Sequence, residues 1–338
     1  MLTSKERIHR ILNRQDVDRC GFWLGLPHRD ALRNYKEYFN VKSHNELAVK
    51  LNSDLLWICG ETTMLNPLLF LPRGLKKIRT LSQEGLLTNA ETVEDVEKIY
   101  WTKRDNFLFP FMNHKLKFAE KNDLAVFSGM GSYFWHNLID FFGMEECFVK
   151  MYTHPEVVEA AVNKIVEIYY RANEVLYRKF SERIDAVFFF NDLGTQLDTM
   201  VSPDLFRQFF LPGAKRLIDQ AKRFHLKVAL HSCGSIERFI PDIINAGVDI
   251  LHPIQANARN MQATLLEEKY GNDLIFMGGL DTQNILPFGT PEEVKAEAKR
   301  LKEIFGKHYI LSPSHEALLA NVKPENVIAM MEEATRID

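Results

Sequence analysis

Val228-Ala229-Leu230-His231-Ser232-Cys233-Gly234 is a short apolar run that ends in a turn carrying an imidazole and a thiol. The run is apolar on both faces, the pattern of a parallel strand buried on both sides. Seven further runs of the same kind occupy 21–24, 55–59, 124–127, 186–190, 248–251, 274–277 and 309–311. Helical segments lie between most of them. The segment 155–180 is long and amphipathic. Ser202-Pro203 is an N-cap with proline at the first helical position and opens 204–224. The segment 236–246 stops at Gly247, and 261–270 stops at Gly271. Thr290-Pro291-Glu292-Glu293 caps a helix that ends at Gly306, Pro324 opens the last helix, and Thr3-x-x-Glu6 caps the first. Eight strands alternating with helices predict an α/β fold, a (β/α)8 TIM barrel. A doubly wound sheet is the competing architecture, but it usually has fewer strands and a glycine-rich first turn, and no G-x-G-x-x-G or Walker A motif is present.

The interval from Glu61 to Asp123 is too long for one crossover. It predicts an insertion after strand two, beside the barrel mouth, with a hairpin over 75–88 turning at Gln83-Glu84-Gly85. Neither a repeat nor a low-complexity linker divides the chain, so residues 1–338 read as a single domain.

Bulk composition narrows the function. The chain has 338 residues, 46% hydrophobic and 26% charged, enough to bury a large core. A net charge of −3 without a basic tract argues against nucleic-acid binding. Cys20, Cys59, Cys147 and Cys233 are scattered and suggest a reducing compartment. The polar start Met1-Leu2-Thr3-Ser4-Lys5-Glu6 lacks an apolar targeting core, and no apolar stretch is long enough to span a membrane. The expected location is the cytoplasm.

Active sites of such barrels lie at the C-terminal ends of the strands. That rule places His28-Arg29, Glu61, Asn191-Asp192, His231 and Cys233, His252 and Gln255, Asp281, and His315 around one mouth. Imidazole and thiolate are zinc ligands, and the i, i+2 spacing of His231 and Cys233 can bring both to one point. The competing reading is a buried cysteine beside a hydrogen-bonded histidine. Asp192 ends the apolar strand Val187-Phe188-Phe189-Phe190 and reads as a catalytic carboxylate, against a plain turn-former. Glu61 ends strand two in the same way, against a solvated loop glutamate. His252 reads as a packed barrel histidine and Cys59 as an inert buried thiol.

Several segments carry a resemblance. Leu230-His231-Ser232-Cys233-Gly234, Met277-Gly278-Gly279-Leu280-Asp281, Pro287-Phe288-Gly289-Thr290-Pro291, Ser202-Pro203-Asp204-Leu205-Phe206 and Leu311-Ser312-Pro313-Ser314-His315 resemble, in order and spacing, the uroporphyrinogen decarboxylase superfamily. The likeness runs from about Phe188 to the C-terminus. One branch of that superfamily decarboxylates a tetrapyrrole and uses an arginine-rich N-terminal segment. Here Arg29 and Arg33 keep its spacing, but the flanking Leu26-Pro27-His28 and Asp30-Ala31-Leu32 do not look like that motif. The other branch transfers methyl groups to or from a corrinoid protein and is similar to this chain in having His-x-Cys after strand five.

The resemblance to that second branch implies zinc on His231 and Cys233. The family's third-ligand position, a cysteine in thiol-methylating members, is taken by His315. It also implies a corrinoid carried by a partner protein and a small methyl donor or acceptor of thiol, methyl ether or methylamine type. On this reading Asp192 and Glu61 are the catalytic groups, and Gln255, Asp281 and Arg29 the substrate-binding ones. Uroporphyrinogen decarboxylation is the runner-up, and a metal-free small-metabolite-binding barrel is the third reading.

Overall fold

Alternation along short strands sorts side chains between two environments, and this chain uses both. In the computed structural model, which describes residues 1–60, 84–99, 101, 107–255 and 257–337, eight strands form one parallel sheet. They are β1 Gly21–Phe22, β2 Leu55–Cys59, β3 Ala125–Gly131, β4 Ala186–Phe190, β5 Lys227–His231, β6 Ile250–His252, β7 Ile275–Leu280 and β8 Tyr309–Pro313. Their order is β1-β8-β7-β6-β5-β4-β3-β2. Leu55, Ala125, Phe127, Ala186, Phe188, Ala229, Ile250, Ile275, Met277 and Ile310 face inward and pack with Trp23 as the barrel filling. Their neighbours Leu56, Val126, Val187, Val228, Leu251, Phe276 and Leu311 face outward into a second core shared with the helices. Double-sided burial explains the unbroken apolar runs.

The barrel is nearly closed. The seam between β1 and β2 carries no ladder, but the Asp54 N–H donates to Phe22 O at 2.8 Å and the Phe22 N–H donates to Asp54 Oδ2 at 2.8 Å. Asp54 is fully buried, and Arg7 and Arg19 both donate to it, at 2.7 Å each. This charged knot sits at the N-terminal ends of the strands, the face opposite the mouth.

Helices fill the crossovers as their caps predict. Pro155–Phe180 precedes β4 and buries Val158, Ile165 and Leu176. Thr290 and Glu293 close a full capping box on Pro291–Phe305, and Gly247 ends Ile240–Ala246 at φ +101°. The segment expected as one helix over 204–224 is interrupted. It runs Pro203–Leu205, then a π-type turn over Phe206–Phe210, then Leu211–Arg223. Pro212 has no N–H to give to the preceding turn, so the chain widens there. Strand ends also move. β3 continues through Ser128-Gly129-Met130-Gly131, and β5 and β6 each include their terminal histidine, because Phe190, His231 and His252 fall in one register across three strands.

Glu61 and most of the expected hairpin over 75–88 lie outside the described residues. Beyond them, Leu87 donates its N–H to Phe141 O at 2.6 Å, tying the insertion to the helix Phe134–Phe142. Among the described residues no helix is long and apolar enough to cross a membrane.

Candidate metal centre

The mouth is assembled by loops that lock onto one another. Asn191, at the end of β4, donates its N–H to His231 O at 2.9 Å, and its Oδ1 accepts the Trp135 N–H at 3.0 Å. These bonds hold the β3 and β5 loops against the end of β4. The Leu193 N–H donates to Ser232 Oγ at 3.0 Å, and the Ser235 N–H to Thr195 O at 2.7 Å. Gly234, at φ +84°, lets the two backbones touch: a Cβ there would lie 2.4 Å from the Gly194 carbonyl carbon. Gln255 Oε1 accepts the Gly234 N–H at 2.8 Å and buttresses the same turn from β6. Asp192 and Cys233, 41 residues apart in sequence, thereby meet: the Cys233 N–H donates to Asp192 Oδ1 at 3.0 Å.

His231 stands at the centre. It is buried, faces the barrel interior at the last residue of β5, and packs 5.0 Å from the Phe190 ring, which Tyr133 stacks from above. Its two nitrogens face different groups. Nε2 lies 3.3 Å from Asp192 Oδ1 and 3.4 Å from Cys233 Sγ. Nδ1 lies 3.0 Å from His252 Nδ1 and 3.3 Å from Glu316 Oε2. Two sets of three metal-binding side chains therefore share one imidazole: Asp192, His231 and Cys233, and His231, His252 and Glu316, with the ligand atoms of each set within 4.8 Å of one another. His136, in the first turn of the helix Phe134–Phe142 that follows β3, holds the outer oxygen of Asp192 at 3.3 Å.

Electrostatics sharpen the picture. Burial acts to raise the Asp192 pKa, but hydrogen bonds from His136 and His231, the His231 charge and the Cys233 N–H outweigh it and hold the carboxyl well below the usual range. Burial pushes the Cys233 thiol well up, and the charges of Asp192 and Glu316 add to that push. Burial likewise holds His252 well below the usual imidazole range, helped by His231 and His315, so it is neutral. A thiol and a carboxylate converge on one imidazole nitrogen, and a cation between them would turn each of these penalties into an attraction. Tetrahedral zinc with nitrogen, oxygen and sulfur ligands sets neighbouring donors about 3.3–3.6 Å apart. The separations around His231 Nε2 fit that spacing.

The other predicted residues are placed as follows. His315 is half-exposed, and its ring centre is 6.1 Å from that of His231. It stands outside both three-residue sets, and its Nδ1 accepts the Ala317 N–H at 3.0 Å. Asp281 is buried and committed to its own turn, accepting from the Gln283 N–H at 2.7 Å, Asn284 Nδ2 at 3.0 Å and Asn257 Nδ2 at 3.2 Å. Arg29 is exposed at the start of the helix Arg29–Tyr38. Sequence reasoning passed over His136 and Glu316 and set His252 aside as packing. Glu316 directly follows His315 in a loop already assigned to the mouth, which was its available signal. His136 carried none, since its reach depends on how Asn191 pins the β3 loop.

Residues 121–337 match the model of the uroporphyrinogen decarboxylase (URO-D) family. The chain belongs to that family. Within it, the chain is 27% identical over 142 residues to a methylated-thiol–coenzyme M methyltransferase from Methanosarcina mazei, an alignment covering 42% of this chain and 35% of that relative. The chain thus spans about a third of the length of that methyltransferase. It is 20% identical over 347 aligned positions to a uroporphyrinogen decarboxylase from Chlorobaculum parvum, covering 96% and 95% of the two chains. A solved structure, a methyltransferase from Methanosarcina mazei, superposes with a TM-score of 0.68 at 18% identity over 99% of this chain and 98% of that one, so the two share the barrel fold.

Proposed function

We propose that this URO-D family barrel is a zinc-dependent methyltransferase that moves a methyl group between a small thiol, methyl ether or methylamine and a corrinoid carried by a partner protein. One observation carries the reading: Asp192, His231 and Cys233 present carboxylate, imidazole and thiol donors to one point at the barrel mouth. A tetrapyrrole decarboxylation has no use for the thiol, whereas a metal site that activates a sulfur, oxygen or nitrogen atom does.

On this reading Asp192, His231 Nε2 and Cys233 Sγ hold the ion and leave one position for substrate. Bound there, zinc supplies Lewis acidity that lowers a thiol's pKa or polarises a methylated heteroatom. The protein's own groups do the rest. His136 keeps the outer oxygen of Asp192 engaged so that the carboxylate presents a fixed edge. Phe190 and Tyr133 wall the imidazole with aromatic surface that keeps water from one side. Gln255 fixes the backbone on which Cys233 rides. The half-exposed Asp192 and Cys233 lie on the open side, where a carrier protein would deliver the methyl group. A reducing cytoplasm would keep Cys233 a free thiol, and residues 1–338 would act as one domain.

The test is zinc content by elemental emission, together with demethylation of methylcobalamin by thiols and methylation of cob(I)alamin by methyl ethers or methylamines, each followed by the visible spectrum of the cobalamin. One zinc per chain and zinc-dependent turnover are expected. A protein that stays metal-free when supplied with zinc overturns the reading. The second reading, uroporphyrinogen decarboxylation, is favoured by the near full-length alignment with the Chlorobaculum parvum relative. It predicts carbon dioxide release from uroporphyrinogen, and we expect none.

A further inference from the structure

Among the described residues two lysines are more than nine-tenths buried, and they differ in one respect. Lys302 donates to Glu333 O at 3.1 Å and to Arg336 O at 3.2 Å. Lys150, with 6% of its surface exposed, makes no side-chain hydrogen bond and no ion pair among the described residues. A glutamate four residues before a lysine is the favoured order for a helical ion pair, yet Glu146 and Lys150 form none. Long side chains on a helix lean toward its N-terminus. The Lys150 side chain therefore runs back toward Gly143, along the wall of an open cavity of about 500 Å³ that both residues line.

That end of the helix Met144–Thr153 is bare. Its N-cap is Gly143, at φ +83°, and no side chain caps it. The N–H groups of Met144, Glu145 and Glu146 precede the first intrahelical bond, from the Cys147 N–H to Gly143 O at 2.9 Å, and have no partner among the described residues. Three free amides, the positive end of a helix dipole and an unpaired ammonium thus border one cavity. The facing wall is held in place by Thr88, whose Oγ1 donates to Phe142 O at 2.5 Å and accepts the Gly85 N–H at 2.7 Å. Carboxylates ring the opening. Glu84, Glu91 and Glu145 are exposed and Glu146 is half-buried, and none of the four is ion-paired among the described residues.

The charges are sorted by depth, positive within and negative at the rim. A multiply charged anion would be repelled by the rim, and a plain cation would leave the inner ammonium unmatched. The complement is a molecule with one carboxylate at one end and cationic groups beyond it. We propose that this cavity binds a basic amino acid, its α-carboxylate on Lys150 and the free amides of residues 144–146, and its cations among Glu84, Glu91, Glu145 and Glu146. The volume lies within the range of roughly 300–1,000 Å³ usual for small-molecule sites. None of the lining residues belongs to the metal centre, so the inference is independent of the methyltransferase reading.

Isothermal titration of the full chain at low ionic strength tests it with L-arginine, agmatine, L-citrulline and inorganic phosphate. L-Arginine is expected to bind one-to-one. Agmatine keeps the guanidinium but lacks the carboxylate, and should bind about 10- to 100-fold more weakly, the loss of a charge-assisted pair. L-Citrulline carries a neutral urea in place of the guanidinium; it should bind more weakly than arginine, by a margin that shrinks as salt screens the rim. Lys150→Met keeps the apolar stem and should lose arginine affinity by about 10- to 100-fold. In the wild type, the 15N–1H resonances of Met144, Glu145 and Glu146 should shift on titration with arginine, a readout that stands if the variant fails to fold. Absence of saturable arginine binding overturns the proposal. So do agmatine binding as tightly as arginine, unchanged affinity in Lys150→Met, and shifts confined to other residues. Phosphate binding as tightly as arginine overturns it too, since the site would then read negative charge alone.

Discussion

Replacing Asp54 by alanine should cost the protein a large part of its stability and leave the proposed metal centre intact. Asp54 has no exposed surface and accepts four bonds: from Arg7 Nη1 at 2.7 Å, Arg19 Nη1 at 2.7 Å, Arg19 Nη2 at 3.0 Å and the Phe22 N–H at 2.8 Å. Alanine removes the carboxylate but leaves both guanidiniums in place. Breaking a buried ion pair from one side costs about 3–5 kcal/mol, because a charge is left buried without its partner. Arg7 keeps a second carboxylate, Asp18, at 2.7 Å, whereas Arg19 does not share that bidentate contact, so most of the cost falls on Arg19 and on the β1–β2 seam. With an unfolding entropy of roughly 2.1 cal/mol/K per residue, the melting temperature should fall by about 4–7 °C. Differential scanning calorimetry and urea unfolding read this directly. Zinc affinity should be unchanged, since the knot lies at the opposite end of the strands from His231. A loss below about 1 kcal/mol would refute the view that this carboxylate closes the barrel. An equal loss of zinc affinity would refute the separation of a stabilising face from a chemical one.

Three further outcomes follow from the site and its surroundings. Cys233→Ala should abolish stoichiometric zinc by elemental analysis while changing the unfolding free energy by less than about 1 kcal/mol, because the side chain sits half-buried at the mouth rather than in the core; undiminished zinc would remove Cys233 from the ligand set. Gly234→Ala forces a Cβ to within 2.4 Å of the Gly194 backbone at φ +84°, so about 2 kcal/mol or more of stability and most zinc binding should go together, measured by unfolding and metal titration; a variant as stable and as metal-loaded as the wild type would show that the two loops do not need that contact. Burial holds His44 below the ordinary imidazole pKa despite its bond to Gly25 O at 3.1 Å. The unfolded chain therefore binds the extra proton first, so this contribution to stability is complete above about pH 6.5 and is lost as pH falls toward the folded value. The difference in unfolding free energy between wild type and His44→Asn should shrink on acidification below pH 6.5, and a constant difference across pH 5–8 would contradict it.

The residue order alone determined the strands, their parallel arrangement and most helix ends. Runs such as Ala186–Phe190 must be buried on both faces, and Thr290 with Glu293 can satisfy the free amides of a helix start whatever else the chain does. The same local logic put Asp192, His231, Cys233 and His315 at one end of the barrel, since each follows a strand. What it could not supply was the direction of side chains across the mouth. His136 reaches Asp192 across 56 residues because Asn191 pins the β3 loop. Glu316 rather than His315 lies against the His231 Nδ1, and His252 turns inward to the same nitrogen because β5 and β6 share a register. A single residue of register or one rotamer separates a ligand from a bystander, and both are fixed by packing among residues far apart in the chain. Strand periodicity is a local property, and a metal centre is made of non-local distances. The sequence could therefore nominate the ring of candidates, and only the folded barrel could decide which atoms face one another.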